Sequence, residues 1–315
     1  MTGLAEGMVD EYDYSFNTRM DYVHYRAFLP DAFSVFIHSG NYVISVLDDS
    51  RNTLVTRRFQ VTEQSLKTKA KVTFPYDGID RERKQEVDVW VEAKNVNNAW
   101  INIYVQQNGR LDLRQELQHS GYEREWMSYS NRQNNIFWAG NTFRYFDCSN
   151  MYATMYNVMK VEEYGGLLYV ILRPEENRSR KQFIQDASLN GGWKTNVWDR
   201  NNPKQEADYV WVVFSLPMEQ PLLDGSIHIV GEITNWHIDD VSRMEYNKEK
   251  RAYIKMMLLK QGYYSYQLLV DRKQSKTAGL EGDHWESHNK YKVEVYQHAP
   301  NDIADRLLHT STIQP

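Results

Sequence analysis

Disulfide bonds are excluded at the outset, because the 315-residue sequence holds a single cysteine, Cys148, and one thiol closes no loop. Long apolar runs are missing as well. The longest, such as Val210-Trp211-Val212-Val213-Phe214, is strand-sized and far short of the roughly 18–20 residues that a membrane helix needs. An excess of positive charge is also absent: 37 Lys and Arg face 42 Asp and Glu, for a net charge of −5. With no basic stripe to displace counterions from a phosphate backbone, nucleic acid is excluded as a partner. Residues 1–10 carry neither the positive start nor the apolar centre of a signal peptide, which by itself points to the cytoplasm.

What the sequence does have is aromatic side chains. Phe, Trp and Tyr make up 13% of it, with 22 Tyr and 9 Trp, and such residues favour half-buried pleated surfaces. Segments of period two recur along the chain. Residues 41–47 and 53–61 flank a polar turn and read as a hairpin. In residues 85–93, Val87, Val89 and Val91 alternate with Asp88, Trp90 and Glu92. In 100–106, Ile101, Ile103 and Val105 alternate with polar or aromatic neighbours, and Asn108-Gly109 marks a tight turn. Further strands are expected at 208–216, 226–231, 252–259, 263–271 and 291–296. Residues 302–309 alone suggest a helix, from Ile303 and Leu307 four apart.

This pattern predicts an all-β chain of tandem immunoglobulin-like sandwiches. A length of 315 residues suits two or three domains. The polar stretch 199–206, with Asn201-Asn202-Pro203, reads as a linker. The boundaries are therefore drawn as the C-terminal part of a first sandwich over 1–62, a second β domain over 63–206, and a third sandwich over 207–315. Residues 1–62 supply only about half the strands of a sandwich of roughly seven, so the first domain is expected to be truncated.

No set of residues reads as an active site. His284 and His288 are four apart, but Trp285 stands where a helical zinc motif needs Glu. Asp239-Asp240 and the acids around Glu281 sit in sequences of loop character, and two catalytic carboxylates must oppose each other across a cleft. Cys148 lies among Tyr145, Phe146 and Asp147, the setting of a buried structural thiol. Neither a catalytic residue, a metal ligand nor a cofactor is expected. Binding character is concentrated at Asn235-Trp236, just past a strand, with Trp193 and Trp198 as further aromatic anchors.

Two resemblances refine this. The run 227–236, Gln261-Gly262-Tyr263 and the run 266–271 resemble the early-set immunoglobulin-like glycogen-binding domains of AMP-activated protein kinase. Gln267 stands at that family's sugar-binding Lys, and no Trp follows Asp271, so only Trp236 of the sugar platform remains. A glycan is thus the alternative partner. A likeness over nearly the whole chain is to the Bacteroidetes type IX secretion system plug proteins. It is carried by Tyr12-Asp13-Tyr14-Ser15-Phe16-Asn17-Thr18, Ser39-Gly40-Asn41-Tyr42-Val43, Leu54-Val55-Thr56-Arg57-Arg58-Phe59, Val105-Gln106-Gln107-Asn108-Gly109-Arg110, Gly140-Asn141-Thr142-Phe143-Arg144-Tyr145-Phe146-Asp147 and Lys260-Gln261-Gly262-Tyr263-Tyr264-Ser265-Tyr266. That resemblance implies an exported, periplasmic protein at the outer membrane, with a signal peptide outside this sequence. The function it implies is non-enzymatic: occluding, or associating with, the translocon barrel protein of the secretion system.

Overall fold

In the computed structural model, residues 1, 4–5, 31–33, 76–77, 95, 187, 273–274, 278 and 301–302 are not described. Strands dominate the regular structure of the rest, and the one α-helix among the described residues is the single turn Pro203–Glu206. The chain divides into two compact units that are both discontinuous in sequence. One takes Met1–Met8, Phe28–Trp138 and Asn289–Pro315, and the other Val9–Ala27 and Ala139–His288.

The first unit rests on two sheets. The alternating strand Lys84–Glu92 is bordered on one edge by Thr68–Thr73 and on the other by Trp126–Tyr129 and Ile136–Trp138. The second sheet runs Arg114–Leu117, Ile101–Gln107, Tyr291–Gln297, Arg306–Ile313, antiparallel throughout. Period two then dictates the core: Val87, Val89 and Val91 cluster with Ile101, Ile103, Val105, Tyr291, Val293 and Val295. Each such buried side chain contributes about 1.5–3 kcal/mol relative to exposure. The turn after Ile101–Gln107 uses positive φ at Asn108 (50°) and Gly109 (76°), the conformation that Asn-Gly accepts at least cost. The hairpin Gly40–Leu47/Thr53–Val61 forms as expected and belongs to this unit. It is a two-stranded sheet on its own and leaves Val43, Leu54 and Val55 exposed.

The second unit is also two-layered. One sheet runs Val158–Tyr164, Leu167–Leu172, Tyr209–Pro217, Ala252–Lys260, Glu245–Asn247. Its Leu167–Leu172 and Tyr209–Pro217 strands are parallel, so residues 173–208 form the crossover that a parallel pair requires. The other sheet is organised along the long strand Gly262–Arg272, flanked by Arg144–Asp147 and Trp193–Thr195 and, further on, by Ser226–Val230 and Ser275–Thr277. Phe146, Val212, Phe214, Ile229, Tyr266 and Leu268 lie in the core cluster.

Three expectations meet a different structure. The division does not follow the contiguous spans 1–62, 63–206 and 207–315. Residues 207–288 share a core with 146–172, while Tyr291–Gln297 pairs with Ile101–Gln107. The stretch 199–206 is no linker: it lies inside the second unit, where Glu206, Ala207 and Asp208 are buried. The expected helix over 302–309 is the strand Arg306–Ile313, with Asp302 outside the described residues. An isolated short helix is marginal, whereas the open edge of Tyr291–Gln297 supplies a full ladder. The register of that ladder steps over Leu308, a bulge that buries the adjacent Leu307 and Leu308 together.

Candidate functional site

The aromatic and charged side chains of the second unit draw together three segments. The first is residues 9–27. Its hairpin Glu11–Tyr14/Val23–Arg26 sets Tyr12 opposite Tyr25, with ring centroids 6.0 Å apart and Tyr14 edge-on to Tyr12 at 5.6 Å. All three rings are exposed. Beyond the hairpin the segment is tied down by Asp208, whose carboxylate accepts the amides of Arg19 (2.8 Å) and Met20 (3.2 Å). The Tyr22 hydroxyl donates to the Ala207 carbonyl at 2.9 Å. Burial, with Tyr209, Asp208 and Glu206 adding, pushes that phenol up to about 12.

The second segment is residues 193–200. It leaves the sheet at Trp193, which stacks on Tyr264 at 6.1 Å and is 47% exposed. Trp198 is 65% exposed, and its amide donates to the Ser149 carbonyl at 3.2 Å. The third is the turn after Arg144–Asp147, where Ser149 donates its amide to Asp147 at 2.8 Å and Tyr152 lies exposed.

Between these segments lies a cleft of about 290 Å³. Its polar lining includes Arg19, Ser149, Glu162, Glu163, Asp199 and Arg200, and its apolar lining Met151, Val161, Leu168 and Val197. Arg19 pairs with Glu163 at 2.7 Å, and Lys160 with Glu162 at 2.7 Å. Arg200 turns its guanidinium onto the Asn17 and Glu206 carbonyls. Gln261 spans the base, accepting from the Asp208 amide (2.8 Å) and donating to the Ser149 carbonyl (3.2 Å). The Ser149 hydroxyl, on a residue only 1% exposed, has no hydrogen-bond partner among the described residues.

Of the four aromatic-patch residues expected from sequence, Trp193 and Trp198 present free ring surface. Trp236 is half-buried and packs on its own unit. It meets Phe143 edge-on at 5.9 Å and covers Gly191, where an added Cβ would fall 2.2 Å from the indole. Asn235 is exposed and serves the backbone, closing a 3-10 turn in the left-handed region (φ 48°). Gln267 is buried and donates to the Asn141 carbonyl at 3.1 Å, so nothing in this geometry supports a sugar platform.

The residues weighed for catalysis have other roles. Burial pushes the Cys148 thiol up to about 12, and its S–H donates to the Gly262 carbonyl at 3.4 Å. His284 packs near Phe183 and His288 near Gln185. Asp239 accepts the amides of Val241 and Ser242. Among the described residues no three His, Cys, Asp or Glu gather as a metal set.

Glu281 departs from the solvated loop that its sequence suggests. It is 0% exposed, held by Arg144 Nε at 2.8 Å, Arg178 Nε at 2.8 Å and the Leu268 amide at 2.8 Å. Arg144 also reaches Glu175, which accepts the Tyr266 hydroxyl. Burial alone would raise the Glu281 carboxyl, but Arg144 and then Arg178 hold it below the usual range. This cage is structural. The cleft was not foreseen either, although Asn17, Arg19 and the acidic pair Glu162-Glu163 are visible in sequence.

Residues 1–63 match the first domain of the type 9 secretion system plug protein. The crystal structure of a hypothetical protein from Parabacteroides merdae is 30% identical, superposes with a TM-score of 0.95, and is matched over 100% of this chain and 81% of that one. No curated protein matches. No helix among the described residues is long and apolar enough to cross a membrane. The two-layered all-β architecture, the ordered motifs and the match over residues 1–63 agree, and the chain belongs to the type 9 secretion system plug protein family.

Proposed function

We propose that this protein is a non-enzymatic subunit of type IX secretion that associates with the outer-membrane translocon barrel from the periplasmic side and occludes it. The match of residues 1–63 to the plug family's first domain carries this reading. The second unit supports it by displaying what protein contacts use: exposed Tyr12, Tyr14, Tyr25, Tyr152 and Trp198, and an arginine, Arg19, that lines the cleft with Tyr152. Rigid aromatic rings and arginines are the usual anchors of such interfaces. The inert Cys148 and the dispersed acids and histidines fit a role by surface contact, without cofactor.

Affinity purification of the tagged full-length protein from a host encoding the secretion system is expected to bring down the barrel. Absence of the barrel, with the host's secretion intact, would overturn the proposal. The Trp198→Ala protein is expected to retain about a tenth of that capture or less, the loss typical of an interface anchor.

A further inference from the structure

We infer that Tyr145 and Tyr156 form an oxidative modification site, where a peroxidase-type oxidant joins the two rings by a carbon–carbon bond ortho to their hydroxyls. The inference is independent of the partner proposed above.

Geometry is the first argument. The two rings lie face to face, with centroids 4.0 Å apart and planes 2° from parallel. The Tyr156 hydroxyl donates to the Asp186 carboxylate, and the Tyr145 hydroxyl hydrogen-bonds with both groups. The hydroxyls therefore point the same way, and the ring carbons beside them stand opposite one another near van der Waals separation. Backbone contacts hold this arrangement. The Asp147 amide donates to the Tyr156 carbonyl at 3.1 Å, and the Asn157 side chain to the Tyr145 carbonyl at 2.8 Å. The exposed pairs on the hairpin Glu11–Tyr14/Val23–Arg26 are less well placed: Tyr12 and Tyr25 lie 6.0 Å apart at 48°, and Tyr12 and Tyr14 5.6 Å apart at 86°. A tilted or edge-on ring does not set ortho carbon against ortho carbon.

Access and proton transfer are the second argument. Tyr156 is 46% exposed and Tyr145 half-buried, so an oxidant reaches the stack from one side. The Asp186 hydrogen bond, then burial, holds the Tyr156 phenol above its ordinary range, and burial, then the Asp186 charge, raises that of Tyr145. Both phenols are therefore protonated at neutral pH, and each sheds its proton as its electron leaves. Asp186 is placed to take that proton. Hydrogen peroxide, activated on a haem peroxidase, accepts one electron from each phenol and with two protons becomes two waters. The two phenoxyl radicals pair to form the new bond. The hydrogen on each joined carbon then passes as a proton to the phenol oxygen, which restores both aromatic rings. The protein loses two hydrogens in all.

The bond ties Arg144–Asp147, in one sheet of the second unit, to the residues just ahead of Val158–Tyr164, the edge strand of the other sheet. A chain with a single cysteine closes no disulfide loop, and this pair offers it a covalent brace across the turn between sheets.

The full chain, diluted to disfavour coupling between molecules, is treated with a haem peroxidase and hydrogen peroxide and followed by dityrosine fluorescence and mass spectrometry. The expected product is monomeric. Its peptide 145–160 is two hydrogens lighter, and residues 145–146 stay attached to it after cleavage before Asp147. Tyr152→Phe is expected to give the same product, and Tyr156→Phe, which keeps the ring and removes the hydroxyl, to abolish it. Asp186→Asn is expected to slow the coupling several-fold at neutral pH. That deficit should close as the pH rises toward ionisation of the phenols, a profile that a purely structural Asp186 would not give. Absence of dityrosine, a bond at Tyr12, Tyr25 or Tyr152 in place of Tyr145–Tyr156, or undiminished coupling in Tyr156→Phe would overturn the inference.

Discussion

Each unit buries carboxylates, and two of these sites, one in each unit, neutralise them in opposite ways. In the unit holding residues 139–288, Glu281 sits between the guanidinium groups of Arg144 and Arg178 and stays below its usual range. In the other unit, Asp88 and Glu86 are buried side by side on the strand Lys84–Glu92. Burial, then the Glu86 charge, pushes Asp88 up to about 6, and the pull of Lys71, its cross-strand neighbour, is too weak to reverse this. The Glu281 site balances its buried acid with fixed cations and the Asp88 site with a proton. A fixed cation makes the acid a permanent strut, while a proton makes its cost depend on the medium. The cleft adds a third condition, because its charges are part-exposed ion pairs, which hold little of the fold together.

Removing the strut has the largest expected effect. Glu281→Ala takes from Arg178 its buried counterion and leaves Arg144 with Glu175 alone. By the cost of breaking a buried pair it should lose about 3–5 kcal/mol in chemical denaturation. A loss under about 1 kcal/mol would mean that water reaches the cage and that the two buried sites are alike.

Asp88→Asn should have a smaller effect, with a defined pH signature. The folded-state pKa of about 6 lies above the ordinary 3.8. Wild-type Asp88 therefore contributes stability at low pH that is lost as the pH rises through about 6. Denaturation midpoints of the Asn variant, relative to wild type, should rise over that interval and then level off. Glu281→Gln should behave oppositely in sign: the wild-type benefit is full above 4.5 and lost as the pH falls through its depressed folded value. Parallel curves for the two variants would erase the contrast. The smallest effect is reserved for Arg19→Ala in the cleft, a part-exposed pair with Glu163 worth about 0–1 kcal/mol.

The all-β character and most strands were legible in the sequence because alternation is a local property. Val87, Val89 and Val91 declare a buried face without reference to any partner, and Asp48 to Asn52 declare a turn. Partnership is not local. Nothing near residue 291 says that its strand pairs with Ile101–Gln107, so contiguous domains were drawn where the chain builds discontinuous ones. The polarity of 199–206 was read as exposure, yet Glu206 is buried and accepts from Asn17 at 3.3 Å, a residue 189 positions away. Glu281-Gly282-Asp283 has loop composition, and only the distant Arg144 and Arg178 make its burial tolerable. Trp236 was legible as unusual. Its packing depends on the bare backbone of Gly191, 45 positions earlier, since 236 − 191 = 45. Val197 and Arg19 lie in separate stretches of sequence and meet one cleft only through the fold.

The interior position of Tyr291–Gln297 in its four-stranded sheet also bears on how the molecule is made. Ile101–Gln107 emerges early in synthesis but lacks its neighbour until almost the entire chain exists. Residues 139–288 are complete before that strand appears and already include the sheets of the other unit. During synthesis the finished sandwich therefore precedes completion of the other, whose Ile101, Ile103 and Val105 still lack Tyr291, Val293, Val295 and Leu308 of their core. Such late, long-range closure is slow and aggregation-prone.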